Sequence, residues 1–279
     1  MLFLTTTPLW LTALLLVGVT TLVAMIGPLV VRRRISLDQL RTNNEVAGFK
    51  FATVGVLYAV LLGFAVIVVW EKFNDAENKV TLEAGAAATI YRLAGGIQGE
   101  SGVALRSGIA TYLRTAIVRD WPAMERGKGS AETNQALNSL YDAVLRYQPP
   151  DSRGTALLAE VLQQLDTLTQ ARRARVVLSA GIVPGVIWLV LFTGAILTIV
   201  FTFFFGTQNL RAQTLMTGAL SVLICSGLLV IVAIDHPFAG SVKVAPEALD
   251  NVLADFTAHE SDAADSTTDP SDHKGLSAP

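Results

Sequence analysis

The chain has 279 residues, 52% hydrophobic and only 16% charged, with a formal net charge of −2 and a mean hydropathy of +0.49. A soluble domain carries about 25% charged residues, so the composition excludes an ordinary soluble fold and indicates a polytopic helical membrane protein. With no global basic field, nucleic acid is excluded as an expected partner.

The first apolar run, Leu9 to Val31, reads as a span with Trp10 at one interface and Gly27-Pro28 near the other. It has no positive n-region and no small-residue cleavage motif, so it is expected to be retained rather than removed as a signal peptide. Pro28 is read as marking the end of the span, and Arg32-Arg33-Arg34 follows. A short polar loop from Ile35 to Lys50 carries Asn43-Asn44-Glu45, so spans one and two should form an antiparallel hairpin.

Phe51 to Trp70 is 20 residues without a charge, enough to cross a core of about 30 Å as a helix. Beyond it, Phe73, Val80, Ala84, Ala87 and Tyr91 keep helical spacing with no proline until Gly95-Gly96. The spacing predicts one long helix, half in lipid and half a stalk in water. Gly55, Ala59 and Gly63 form a small-xxx-small row suited to close helix packing. Val60, Phe64 and Val68 form a second row roughly 140° away. That row fits either lipid contact or a pore lining. Tyr58 lies mid-membrane, where its hydroxyl needs a partner at a helix interface or in a wet cavity.

Leu105, Ile109, Tyr112, Leu113 and Ala116 follow an amphipathic helical pattern ended by Asp120-Trp121-Pro122. Leu137, Leu140, Tyr141, Val144 and Leu145 repeat it until Gln148-Pro149-Pro150-Asp151. A third set, Leu158, Val161, Leu162, Leu165 and Leu168, runs toward Arg172-Arg173-Ala174-Arg175. No segment alternates with period two, so no sheet is expected.

Val176 to Phe205 is an uncharged run of 30 residues, more than one span needs. Gly181 and Pro184 predict a break, with the third span starting near Val183. The fourth spans about Thr214 to Ile234 and holds the single cysteine, Cys225, which has no partner for a disulfide within the chain. After Asp235-His236-Pro237-Phe238-Ala239-Gly240, a short helix is expected from Pro246 to Phe256, then a disordered tail rich in Ser, Asp, Thr and Pro. From Asp235 onward there are 9 acids and 2 bases, against 12 and 13 between Glu71 and Leu178.

The positive charges on the two sides tie. Arg32, Arg33, Arg34, Arg41, Lys50 and Arg211 face Lys72, Lys79, Arg172, Arg173, Arg175 and Lys243, with the Arg triplet leaning toward an external N-terminus. No Walker loop, nucleophile elbow or His-Glu-x-x-His pair occurs, and Gly95-Gly96-Ile97-Gln98-Gly99 reads as a helix stop. Of three histidines, His259 and His273 fall in the expected tail, and His236 is read as a cap on span four in preference to a pH sensor. No enzyme, metal site or cofactor is expected. The span cores carry no ionisable side chain, which argues against a proton-coupled transporter. An apolar channel constriction and a membrane anchor for a helical interaction domain both remain compatible.

Several stretches resemble a family of bacterial membrane proteins called bestrophin-like. They are Asn44-Glu45-Val46-Ala47-Gly48-Phe49, Val54 through Phe64, Trp70-Glu71, the arginine run before span three, and Asp235-His236-Pro237-Phe238 with Gly240. The order of elements is in turn similar to that of true bestrophins, which are homopentameric anion channels whose second spans line a narrow apolar neck. That resemblance implies Val60, Phe64 and Val68 as neck residues, with Tyr58 beside them, and both termini in the cytoplasm. True bestrophins follow their Pro-Phe-Gly exit with a calcium-binding acidic cluster, whereas Ser241-Val242-Lys243-Val244 offers no carboxylate here.

The expected architecture is an all-α membrane protein with four transmembrane helices and a helical extramembrane domain inserted between helices 2 and 3. Residues 1–70 hold spans one and two, 71–178 the stalk domain, 179–234 spans three and four, and 235–279 the exit segment and acidic tail. The expected function is a homo-oligomeric, pentameric anion channel in a bacterial cytoplasmic (inner) membrane, with the bilayer and small anions as partners. The alternative is a non-conducting scaffold or sensor acting through its helical domain.

Overall fold

The computed structural model describes residues 7–42 and 44–266; His273 lies outside them. It is all-α, with four transmembrane helices and a helical domain inserted between the second and third, and no strand occurs among the described residues. The helices are α1 (Leu9–Arg34), α2 (Leu37–Thr42), α3 (Asn44–Ala94), α4 (Glu100–Thr115), α5 (Trp121–Met124), α6 (Ala131–Arg146), α7 (Ser152–Leu178), α8 (Gly185–Thr202), α9 (Leu210–Ile234) and α10 (Glu247–Ser266). They divide into two compact units. One comprises residues 1–75 and 178–244, the other 76–177 and 245–279, and α3 contributes to both.

In the membrane unit, α1, α3, α8 and α9 are the helices long and apolar enough to span a bilayer. Half of the α9 span is buried inside the chain, against 11% of the α1 or α3 span. The fourth span is therefore the hub, and the membrane half of α3 is peripheral. Lipid is as apolar as a leucine side chain, so these helices gain from close approach and interhelical hydrogen bonds rather than from hydrophobic burial. Small residues on α9 and α8 receive large ones from their neighbours. A methyl added to Gly218 would meet Met25, one at Gly227 would meet Leu62, and one at Gly194 would lie 2.4 Å from the Tyr58 ring. Thr21 donates to Ser221 Oγ at 3.3 Å, and the Thr202 and Thr217 hydroxyls meet at 3.2 Å.

Several boundaries differ from the sequence reading: the expected loop from Ile35 to Lys50 is largely helical, with α2 over Leu37–Thr42 and α3 starting at Asn44. Pro28 does not end the first span: α1 continues through it to Arg34. A proline costs a helix one N–H bond and a clash with the carbonyl four residues back. A membrane-spanning helix tolerates that loss, because neighbouring helices and local adjustments re-satisfy the freed backbone group. Likewise Asp120-Trp121-Pro122 does not end α4. The chain passes through a π-helical turn, Ala116–Asp120, into α5, with Pro122 in its first turn, where a missing N–H is tolerated. The break before the third span occurs as expected, with α7 ending at Leu178 and α8 starting after Pro184.

The second unit is built on the amphipathic pattern. Leu105, Ile109, Tyr112 and Leu113 of α4, Leu140 and Val144 of α6, and Val161, Leu165 and Leu168 of α7 are all buried. They surround Ala76, Val80, Ala87 and Ile90 of α3. Ser130 caps α6, its hydroxyl accepting from Thr133 N at 3.2 Å. The helix expected over Pro246 to Phe256 runs instead to Ser266, and it belongs to this unit. Phe256 anchors it, its ring stacked on Tyr91 at 3.8 Å and 7°. His259, assigned by the sequence to the tail, is an exposed residue of this helix.

Candidate conduction face, exit loop and buried charge cluster

The membrane half of α3 presents three faces. Tyr58 faces inward: it is 5% exposed and donates to Leu191 O of α8 at 3.1 Å. The expected need for a partner is met by a helix interface, because the small Gly194 leaves room for the ring. Val60, Phe64 and Val68 point away from the chain, 50%, 64% and 49% exposed. The Gly55-Ala59-Gly63 row is the third face. Within the chain it packs against no helix backbone, and a methyl added to Gly55 or Gly63 would find nothing within 4 Å. Gly55 and Ala59 instead line an open apolar groove of about 370 Å³ with residues of α8 and α9. The close approaches of α3 use Tyr58 and Leu62 against Gly194 and Gly227 of the neighbours.

The two loop motifs identified in the sequence hold backbone rather than ligand. Asn44, at the start of α3, donates to Gly206 O and accepts from Gly206 N, both at 2.9 Å. A side-chain amide sets N–H donors and a carbonyl acceptor side by side, as pairing with both groups of one residue's backbone requires. Gly206 is required there, because a methyl on it would come within 2.9 Å of the Leu40-Arg41 backbone. Glu45 is exposed.

At the exit of α9, Asp235 is 2% exposed. Its Oδ1 accepts from Val183 N at 2.8 Å and Ile182 N at 3.2 Å, while its carbonyl accepts from Ile182 N at 3.0 Å. Asp235 thus closes the break before the third span. His236 was expected to cap α9; instead its ring lies against Gly181, which has a φ of +102°. Its Nδ1 is 3.1 Å from Asp235 Oδ2, but the angle is not that of a hydrogen bond. Pro237 O accepts from Val244 N at 2.7 Å, Phe238 is fully buried, and Gly240 takes a φ of +86° to turn the chain.

The second unit contains a charge cluster that sequence reasoning missed. Glu83 of α3, Asp120 of the π-helical turn, and Arg172 and Arg175 of α7 are all buried. Arg175 donates from Nε to Glu83 Oε2 at 2.7 Å and from Nη2 to Glu83 Oε1 at 2.9 Å, a bidentate pair. Its Nη2 also reaches Asp120 Oδ2 at 3.2 Å, its Nη1 lies 3.1 Å from Met124 Sδ, and its plane sits 4.5 Å over the Trp121 ring. Arg172 donates to Asp120 at 2.8 and 3.1 Å and to Asn134 Oδ1 at 2.6 Å. Tyr112 donates to Glu83 Oε1 at 2.6 Å, and Ser130 N to Asp120 Oδ1 at 2.8 Å.

Two acids and two bases cancel, as buried charge requires. Burial by itself would raise the Asp120 carboxyl, but the Arg172 hydrogen bond and the charges of Arg175 and Arg172 outweigh it and hold it below the usual carboxylate range. Burial would lower Arg175, and Glu83's charge and hydrogen bond reverse that. Burial, then the Glu83 charge, pushes the Tyr112 phenol well up. The cluster binds α3 to α4, α6 and α7. Its chemistry is structural, because its charges are mutually satisfied.

A family model described as the Bestrophin-like domain matches residues 18–249. No curated protein matches the chain. Among solved structures, two point variants of a bacterial bestrophin homologue from Klebsiella pneumoniae are similar, with TM-scores of 0.68 and 0.67 at 16% and 14% identity. They cover 86% of this chain and 98% and 99% of theirs. A third structure, described as a membrane protein, gives 0.65 at 14% identity over 86% of this chain and 98% of its own. At these identities the likeness establishes the fold alone. The family match extends from within the first span, through the charge cluster and the exit loop, into α10, and the chain belongs to the bestrophin-like family.

Proposed function

We propose that this protein is a homo-oligomeric, pentameric channel for small anions in a bacterial inner membrane, with the membrane half of α3 lining an apolar neck. The observation that carries the reading is the Val60, Phe64 and Val68 row. It is uncharged, repeats at the helical period, and stays outward on one of the two spans that the chain itself buries least. Five copies around an axis would turn that row into stacked apolar rings, a constriction that gates by dewetting rather than by side-chain charge. Likeness to bacterial bestrophin homologues supports the same arrangement.

The test begins with the mass of the particle in nanodiscs by native mass spectrometry. A pentamer is expected, followed by chloride flux in liposomes. Phe64→Ala should widen the neck and raise that flux severalfold, since Phe64 is the largest side chain of the row. A particle that stays a monomer or dimer across mild detergents removes the central pore and leaves the scaffold reading in its place.

A further inference from the structure

The second unit contains a cleft that neither the charge cluster nor the conduction face uses. It measures about 500 Å³ and is lined by Arg92 and Gly95 at the end of α3, by Val103, Arg106 and Ser107 of α4, and by His259 of α10, with Tyr91 at its edge. Sequence spacing explains the convergence. Residues 103, 106 and 107 share one helical face. Phe256 is fixed on Tyr91 by ring stacking, and His259, three residues on, lies on the same face beside Arg92.

Among the described side chains no carboxylate lines this cleft, and Glu100 lines the depression adjoining it. Arg172 and Arg175 are engaged by buried acids, whereas Arg92 and Arg106 form no ion pair with any described residue. Two guanidiniums, a hydroxyl and an imidazole therefore line one space, with neither guanidinium in an ion pair with a described residue. Guanidinium forks match the paired oxygens of a phosphoryl group, a serine hydroxyl adds a third donor, and imidazole donates at least one N–H in either charge state. The volume is that of a site for a small molecule.

We propose that this cleft binds a phosphoryl-bearing anion, held by Arg92, Arg106, Ser107 and His259. Because one of the four lies on α10 and the others on α3 and α4, the bound anion fastens α10 to the rest of the unit. The site is independent of whether α3 conducts.

The test uses the full-length protein in neutral phosphatidylcholine nanodiscs, titrated calorimetrically with sodium pyrophosphate at fixed ionic strength. Saturable binding is expected, weakened about tenfold or more by R92Q and by R106Q and lost in the double variant. R173Q, which removes an exposed arginine elsewhere in the unit, should leave binding unchanged. The pair R92K/R106K keeps the charge but loses the fork and should bind at intermediate strength, which separates recognition from simple attraction. A second arm replaces pyrophosphate with a water-soluble short-chain phosphatidate added from solution. Retention of phosphatidate that depends on Arg92 and Arg106, without pyrophosphate binding, assigns the same chemistry to a lipid headgroup. Absence of binding in both arms overturns the proposal, as does binding that R173Q weakens as much as the double variant.

Discussion

The two units of this protein hold helices together by opposite means. In the membrane unit the helices meet through glycine notches and hydroxyls, Tyr58 in Gly194, Leu62 against Gly227 and Thr21 on Ser221. In the second unit they meet through a full apolar core and a buried set of ion pairs linking Glu83, Asp120, Arg172 and Arg175. The difference follows from the solvent. Water rewards apolar burial, so a small helical domain gains a core and can hold a satisfied charge cluster within it. Lipid gives no such reward, so contact depends on shape and on a few hydrogen bonds.

The comparison breaks most visibly at Arg175. Arg175→Ala leaves Glu83 buried without its bidentate partner and is expected to cost about 3–5 kcal/mol. Hydrogen exchange should show the loss in peptides from 76–177 and spare α9. The double replacement E83M/R175M sharpens the point. If it restores protection, the cluster specifies the arrangement more than it stabilises it.

The membrane counterpart is Gly194→Ala. A methyl 2.4 Å from the Tyr58 ring forces α3 and α8 apart, with an expected cost of about 1–3 kcal/mol. A lower melting temperature in detergent, with exchange in 76–177 unchanged, is the expected result.

Acid should act on the charge cluster of the second unit. Asp120's pKa is depressed in the folded state, so its contribution is present above the ordinary carboxylate value of about 3.9 and disappears as pH falls through the lowered folded value. Protection of the segments around Asp120 and Arg172 should therefore fall in that strongly acidic window. Unchanged protection around Asp120 and Arg172 across that window would contradict the role given to the Asp120 carboxylate.

The smallest effect belongs to Gly63→Ala. Nothing lies within 4 Å of the added methyl, and alanine favours a helix over glycine by up to about 1 kcal/mol. The folded chain should be as stable or slightly more so. A change in particle mass by native mass spectrometry would instead place the Gly55-Ala59-Gly63 row at a contact between copies.

Much of the fold was legible in the residues because its signals are local. Twenty uncharged residues before Glu71 and unbroken helical spacing as far as Gly95-Gly96 describe α3 almost to its ends. Pro28 and Pro122 misled because a proline usually ends a helix in isolation, whereas Pro28 sits inside a continuous spanning helix and Pro122 in the first turn of α5, straight after a π-helical turn. Of the candidate site residues, Asn44 and Asp235 stood out as polar groups beside spans, yet only the folded chain shows that they bind backbone at Gly206 and Val183. Arg172 and Arg175 were visible only as positive charge next to a span. A usable signal was present in their spacing of three, which puts both on one face of α7, the face that also carries Val161, Leu165 and Leu168.

By itself the sequence determined the class, the four spans, the stalk and the amphipathic layer, since hydropathy and period are properties of neighbouring residues. Tertiary structure alone decided which charges pair, which glycines admit which rings, and that α10 joins the second unit through Phe256 on Tyr91. Those outcomes depend on atoms separated by tens to hundreds of residues coming within about 3–4 Å, as Glu83 and Arg175 do. Hydrogen bonds and steric contacts fade beyond that distance, and which charges pair depends on which ones the fold brings there, so no stretch of chain read alone contains them.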